Sequence, residues 1–200
     1  MSKILIPDGT AESEIIIKKS RFLGQASYLE SPGEVKENIK QLSRKHPQAR
    51  HIVYAYITGD SRSVFGMSDA GEPHGTAGRP IMDVLKGSGL TNVLLTVVRY
   101  FGGIKLGTGG LVSAYSNSAK ETLAKLPVKE KIDQSRIQIQ TDYQAYEKIK
   151  RILPDFSAEI INENFSAAVE LMLFIPRDQL ENFKKMIGDI GRGGISVKEG

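Results

Sequence analysis

The chain of 200 residues contains no cysteine and no tryptophan. Without cysteine there is no disulfide, zinc–thiolate site, iron–sulfur cluster or thiol nucleophile. Without tryptophan, stacking on a base or sugar falls to the seven tyrosines and seven phenylalanines. Long apolar runs are missing too. No window approaches the ~20 apolar residues of a membrane-spanning helix. The longest run, residues 93–98, is interrupted by Thr96 and reads as a buried strand. The first residues, Met1-Ser2-Lys3-Ile4-Leu5-Ile6-Pro7, hold too few apolar positions for a secretory signal. A cytoplasmic protein with no membrane partner is the expectation. There is no HExxH, DxDxDG or GxSxG pattern, so no cofactor and no metal site are expected.

What remains is ordinary globular composition, 40% hydrophobic and 25% charged. The net charge of +4 is unevenly spread: residues 1–127 carry 16 Lys and Arg against 11 Asp and Glu, and the remainder 11 against 12. The positive excess therefore lies wholly in the first part, which permits an anionic partner there. Pro127 and the polar Val128-Lys129-Glu130-Lys131 mark a linker at about residues 127–134. Domains are expected over residues 1–127 and 135–200.

In the second domain Ile137 and Ile139 alternate with Gln138 and Gln140, the period of a half-buried strand. Tyr146, Ile149 and Leu153 recur at helical spacing. Residues 158–165 and 168–175 read as strands around a short turn. Leu180, Phe183 and Ile187 mark a second helix, with Asp178 in its first turn, and Ile195 and Val197 a last strand. The order β-α-β-β-α-β is that of a ferredoxin-like domain. The first domain reads as α+β: strands at residues 15–17, 22–29, 51–58 and 92–100, helices from Ser31-Pro32-Gly33-Glu34, at 77–86 and at 108–126, with the sheet covered by helices on one side.

Eleven of the 20 glycines fall between Gly66 and Gly110, which places turns and close backbone approach there. One piece is Arg99-Tyr100-Phe101-Gly102-Gly103-Ile104-Lys105-Leu106-Gly107-Thr108-Gly109-Gly110-Leu111. Here a strand runs through a glycine loop into a helix. With Thr108 as N-cap, free amides at Gly109, Gly110 and Leu111 suit an anion. Arg99 and Lys105 add charge, and Tyr100 and Phe101 add stacking surfaces. The spacing from Gly102 to Gly107 is that of a phosphate-binding P-loop, but Thr108 stands where that loop requires lysine. Alternatively, Gly102 and Gly103 make a tight turn and Gly109 and Gly110 let the helix pack flush on the sheet. The second piece is Ser68-Asp69-Ala70-Gly71-Glu72-Pro73-His74-Gly75-Thr76-Ala77-Gly78-Arg79-Pro80. If the protein is an enzyme, Asp69 and Glu72 with His51 are the acid–base candidates. The competing reading is a turn-forming loop in which Thr76 caps the next helix.

Lys19-Ser20-Arg21-Phe22, Lys45-His46-Pro47-Gln48-Ala49-Arg50-His51, the block from Ser68 to Pro80 and the block from Leu90 to Leu111 together resemble the YigZ/IMPACT family. The resemblance covers about residues 15–125, and the second domain is similar to the small C-terminal domain of bacterial members. It implies that the first domain shares the fold of the fourth domain of elongation factor G, a β-α-β fold related to one in ribosomal proteins, and the second that of its fifth. Eukaryotic relatives act in translation control through a further N-terminal domain not present in this sequence. His74 stands where the family commonly has a small residue such as serine.

Three functions are open at this point. One is a non-enzymatic RNA- or ribosome-binding module, with Arg99, Lys105 and helix-terminal amides on phosphates and Tyr100 or Phe101 stacking. The second is an enzyme or sensor for a small phosphorylated ligand held at the same loop. The third is a protein-interaction module, in which the glycines only shape the fold.

Overall fold

The computed structural model describes residues 3–191 and 195–199; Met1, Ser2 and Gly200, which belong to segments read above, lie outside the described residues. The chain divides into two compact units, residues 1–131 and 132–200.

The first unit runs β1 (Leu5–Pro7), β2 (Ala11–Ile17), β3 (Ser20–Tyr28), α1 (Val35–Lys45), β4 (His51–Thr58), β5 (Val64–Ser68), α2 (Gly78–Ser88), β6 (Val93–Tyr100), α3 (Gly107–Ala124) and β7 (Val128–Glu130). Five strands form one sheet in the order β2-β3-β6-β4-β5, every neighbouring pair antiparallel. A separate ribbon pairs β1 with β7. Residues 128–130, expected in the linker, are thus a strand. Its three side chains are all exposed, so backbone pairing holds it and no alternation marks it in the sequence.

The central strand β6 is buried from Val93 to Arg99 on both faces, and a strand buried on both faces needs cover on both. On one side Val93, Leu95 and Val97 pack with Phe22, Ala26, Ile81, Leu111 and Tyr115, under α2 and α3. On the other, Leu94 packs with Leu29 and Val35, under α1. The expectation of helices on one side of the sheet is therefore corrected: α1 lies on the opposite face. The doubly apolar run at residues 93–98 was the signal for it.

α3 approaches the sheet where β3 carries Gly24. A Cβ built there lies 2.0 Å from Thr122 Oγ1 and 2.9 Å from Ser13 Oγ. Those two hydroxyls hydrogen-bond to each other at 2.7 Å, so a polar seam replaces bulky side chains at this contact.

The second unit runs β8 (Gln134–Thr141), α4 (Tyr143–Ile152), β9 (Glu159–Phe165), β10 (Val169–Pro176), α5 (Leu180–Gly191) and β11 (Ser196–Glu199). Its four-stranded antiparallel sheet has the order β11-β8-β10-β9, the ferredoxin-like arrangement expected. The alternating Ile137, Ile139, Leu171, Leu173 and Ile175 meet Tyr146, Ile149, Phe183 and Ile187 in one core. Asp142 caps α4, accepting from Ala145 N at 2.7 Å. Asp178 sits in a short 3-10 helix that leads into α5.

Gly24→Ala is expected to lower stability by about 1–3 kcal/mol, the usual cost of overpacking. Adding Thr122→Ala, which removes the obstructing oxygen, recovers part of that loss; thermal or urea unfolding reads both.

Candidate functional site

The loop between β5 and α2, residues 69–77, folds over one end of the five-stranded sheet, and its polar residues hold it there. Arg99, the penultimate residue of β6, is 6% exposed. Its Nη1 donates to both oxygens of Glu72, at 2.7 and 3.0 Å. Tyr115 of α3 donates its hydroxyl to Glu72 Oε1 at 2.7 Å. Burial first, and then the bond to Glu72, push the Tyr115 pKa far above that of a free phenol, so the hydroxyl stays a donor. Phe22 and Phe101 lie beside the guanidinium, 5.4 and 5.6 Å from ring centre to Cζ. Arg99 Nε is buried with no hydrogen-bond partner among the described residues.

Asp69 plays the part expected of a cap. Its carboxylate accepts from Gly75 N at 2.8 Å, Ala77 N at 3.0 Å and Gly78 N at 2.8 Å. It thereby binds the open amides at the start of α2. Burial raises its pKa, but the three amide donations outweigh this and hold it below the usual range. Thr76, expected to cap α2, instead donates to Pro73 O at 2.6 Å. His51, paired across the sheet with Arg99, is bonded through Nδ1 to Ala70 O at 2.9 Å. No side-chain hydrogen bond or ion pair joins His51, Asp69 and Glu72 to one another among the described residues; Glu72 N donates to Asp69 O at 2.9 Å through the backbone. Each instead ties the loop to its surroundings, so the acid–base reading has no shared site. His74 is fully exposed, with Nδ1 3.8 Å from Asp69 Oδ2.

The glycine loop after β6 packs on the turn between β2 and β3. A Cβ on Gly102 would fall 2.0 Å from the Lys19 carbonyl carbon, and Gly102 N donates to Ser20 Oγ at 3.1 Å. The turn itself is unusual. Lys18 and Lys19 both have positive φ, 47° and 66°, at positions that favour Asn-Gly. Tyr100 accepts from or donates to His46 Nδ1 at 2.8 Å, and Arg21 lies 5.7 Å from its ring centre. The C-terminal end of α1, with Arg44 and Lys45, is thus brought beside the turn with Lys18, Lys19 and Arg21. Glu14 pairs with Arg21 at 2.7 Å, and that bond holds the Glu14 carboxyl below its usual range.

α3 begins at Gly107, without a side-chain cap and without an acidic residue in its first turn. Thr108 is exposed on the first turn and is not the cap. A Cβ on Gly109 would meet nothing within 4 Å, and one on Gly110 only Leu106. These glycines do not fit the helix to the sheet. Phe101 is 55% exposed, Gly103 and Lys105 are exposed, and Arg99 is committed to Glu72. Tyr115, which sits at apolar spacing on α3, was not singled out from the sequence, nor were the pairings of Ser20 and His46, whose partners lie 82 and 54 residues away.

The fold and this site define a two-domain α+β protein: an antiparallel sheet with a basic, glycine-lined end, followed by a ferredoxin-like domain. Comparison with known proteins places it more closely. Residues 18–123 match the Impact N-terminal domain and residues 139–193 a domain of unknown function, DUF1949. IMPACT family member YigZ of Escherichia coli is 34% identical over 199 residues, covering 98% of each chain. An IMPACT family member of Haemophilus influenzae is 33% identical over 201 aligned positions, covering 99% of this chain and 97% of that one. A solved structure described as the crystal structure of a hypothetical protein superposes with a TM-score of 0.72 at 34% identity, covering 98% and 97%. The chain belongs to the IMPACT family. Among the described residues no helix is long and apolar enough to cross a membrane.

Asp69 makes the acid limb of stability testable. A carboxyl whose pKa is depressed on folding stabilises above its unfolded value, about pH 4, and that contribution is lost as pH falls through the folded value. In Asp69→Asn the fall in Tm with acid is expected to be shallower below about pH 5, from a lower starting Tm at neutral pH.

Proposed function

We propose that the first domain is a non-enzymatic RNA- or ribosome-binding module acting in translation. The observation that carries this is the turn Lys18-Lys19. A left-handed conformation costs a non-glycine residue roughly 1–2 kcal/mol, and here two lysines occupy both such positions while their side chains stand exposed. The turn gives up stability and presents two cations. Beside it lie Lys105, Arg44 and Lys45, the exposed Phe101 and the uncapped amides of α3 at Gly107, Thr108 and Gly109. Phosphate contacts from lysines and helix amides, with one aromatic for stacking, make a binding surface for single strands or ribosomal RNA. The positive excess of residues 1–127 and the elongation-factor-like fold that family membership implies point the same way. Arg99 has no direct part in this reading: it supports the surface from beneath.

The test is sedimentation with ribosomes and with free RNA across a salt series. Wild type is expected to bind at low salt with a steep log–log slope. The variant Lys18→Asn/Lys19→Gly restores the favoured turn residues, so it folds at least as stably. It is expected to bind more weakly, with the slope reduced by roughly 1–2, since each lost phosphate contact removes about 0.7–0.9. Absence of binding at low salt, or a variant that binds as wild type does, contradicts the proposal.

A further inference from the structure

The face of the sheet that carries α1 is only partly covered by it. On β3, Arg21, Leu23, Gln25 and Ser27 lie opposite Tyr100, Val98, Thr96 and Leu94 of β6, on the face where Leu94 packs against Val35 of α1. Between α1 and the β2 edge this face holds two adjoining cavities, about 340 and 180 Å3, both lined by Gln25, Leu42 and Lys45. Together they form one groove along the flank of α1. One end opens where His46 meets Tyr100, beside Arg21 and the lysine turn.

From this arrangement we infer that the groove seats unpaired bases of an RNA strand, so that the domain selects single-stranded over duplex RNA. The inference rests on the RNA-binding reading above and names the form of RNA the surface takes. Four features carry it. The mouth is cationic, with Lys45 and the Lys18-Lys19 turn placed for the backbone and Arg21 beside them, paired with Glu14. The interior is lined by uncharged polar groups, Gln25, Asn38, Gln41 and Thr96. Gln25 and Asn38 each spend one amide donation, on Glu12 and on Glu34 O respectively, and the capacity left on these amides and on Gln41 is what base edges require. Its floor includes Leu23 and Val98, apolar surface for a base face. Its outer wall carries Glu12 and Glu14, which accept from Gln25 and Arg21 and repel phosphate, so bases enter while the backbone stays at the mouth. The volume holds roughly one or two bases and no duplex.

Binding of an oligouridylate and of an RNA duplex of equal length, measured at one salt concentration, tests this. Wild type is expected to favour the single strand by at least about tenfold, or 1.4 kcal/mol. Asn38→Ala/Gln41→Ala, two changes to a strong helix former on the flank of α1 that faces the groove, one half-buried and one exposed, is expected to lose at least about fivefold of the single-strand affinity. Its duplex affinity and salt slope stay unchanged. A wild type that binds both forms equally, or a double variant that keeps its single-strand affinity, overturns the groove while leaving the phosphate surface standing. Loss of all RNA binding at low salt in wild type overturns both. A 4-thiouridine probe gives a second readout: crosslinks to β3 or α1 support the groove, and crosslinks confined to the β6–α3 loop contradict it.

Discussion

Arg99 is a permanently charged side chain at the end of a strand buried on both faces. Withdrawing a guanidinium from water costs several kcal/mol unless a carboxylate and further hydrogen bonds meet it. Glu72 supplies the carboxylate through two contacts from one nitrogen, and Tyr115 satisfies one of the same oxygens from α3. Strand, loop and helix are thereby fixed to one another at a single point. The loop at residues 69–77 must close over the sheet for Glu72 to reach Arg99. Once it is closed, Asp69 gathers the amides at the start of α2, and His51 takes the Ala70 carbonyl. Asp69, Glu72 and His51, which the sequence left open between an acid–base set and a turn-forming loop, each fasten the loop to its surroundings.

This division of labour separates buried charge from exposed charge. The residue chosen from the sequence as the phosphate contact, Arg99, is spent on the interior. The surface charge comes from the turn before it in space, Lys18 and Lys19, and from the end of α1. Gly102 connects the two layers: with no side chain it seats on Lys19 and donates to Ser20, so the strand that carries Arg99 inward also sets the position of the lysine turn. The uncapped start of α3 opens at the same loop.

Much of the architecture was legible in the sequence. In the ferredoxin-like domain the period-two and period-3.6 apolar patterns alternate cleanly, because each element buries a single face. The long helix and central strand of the first domain were equally visible. What escaped had physical reasons. The strand at residues 128–130 buries no side chain and so leaves no pattern. The position of α1 opposite the other helices followed from the run at residues 93–98 being apolar at both parities, a signal read as burial but not as two-sided cover. The partnership of Arg99 with Glu72 joins residues 27 apart in two glycine-rich segments, where no periodicity constrains the fold. Tyr115 fell on the apolar stripe of its helix, and only its hydroxyl carries the extra role. Of the residues singled out in the glycine loop, Lys105 and Phe101 are exposed, whereas Arg99 is buried against Glu72 and Thr108 is not the cap of α3.

The central claim is that Arg99 and Glu72 act as one buried unit. A double-mutant cycle with Arg99→Met and Glu72→Gln measures it directly, the Gln retaining an acceptor for Tyr115. Each single change is expected to cost about 3–5 kcal/mol, because it strands the other charge, and the double change far less than their sum, with a coupling of at least about 2 kcal/mol. Costs that add to within about 0.5 kcal/mol would show two independent side chains, and the loop would then owe its position to something other than this pair.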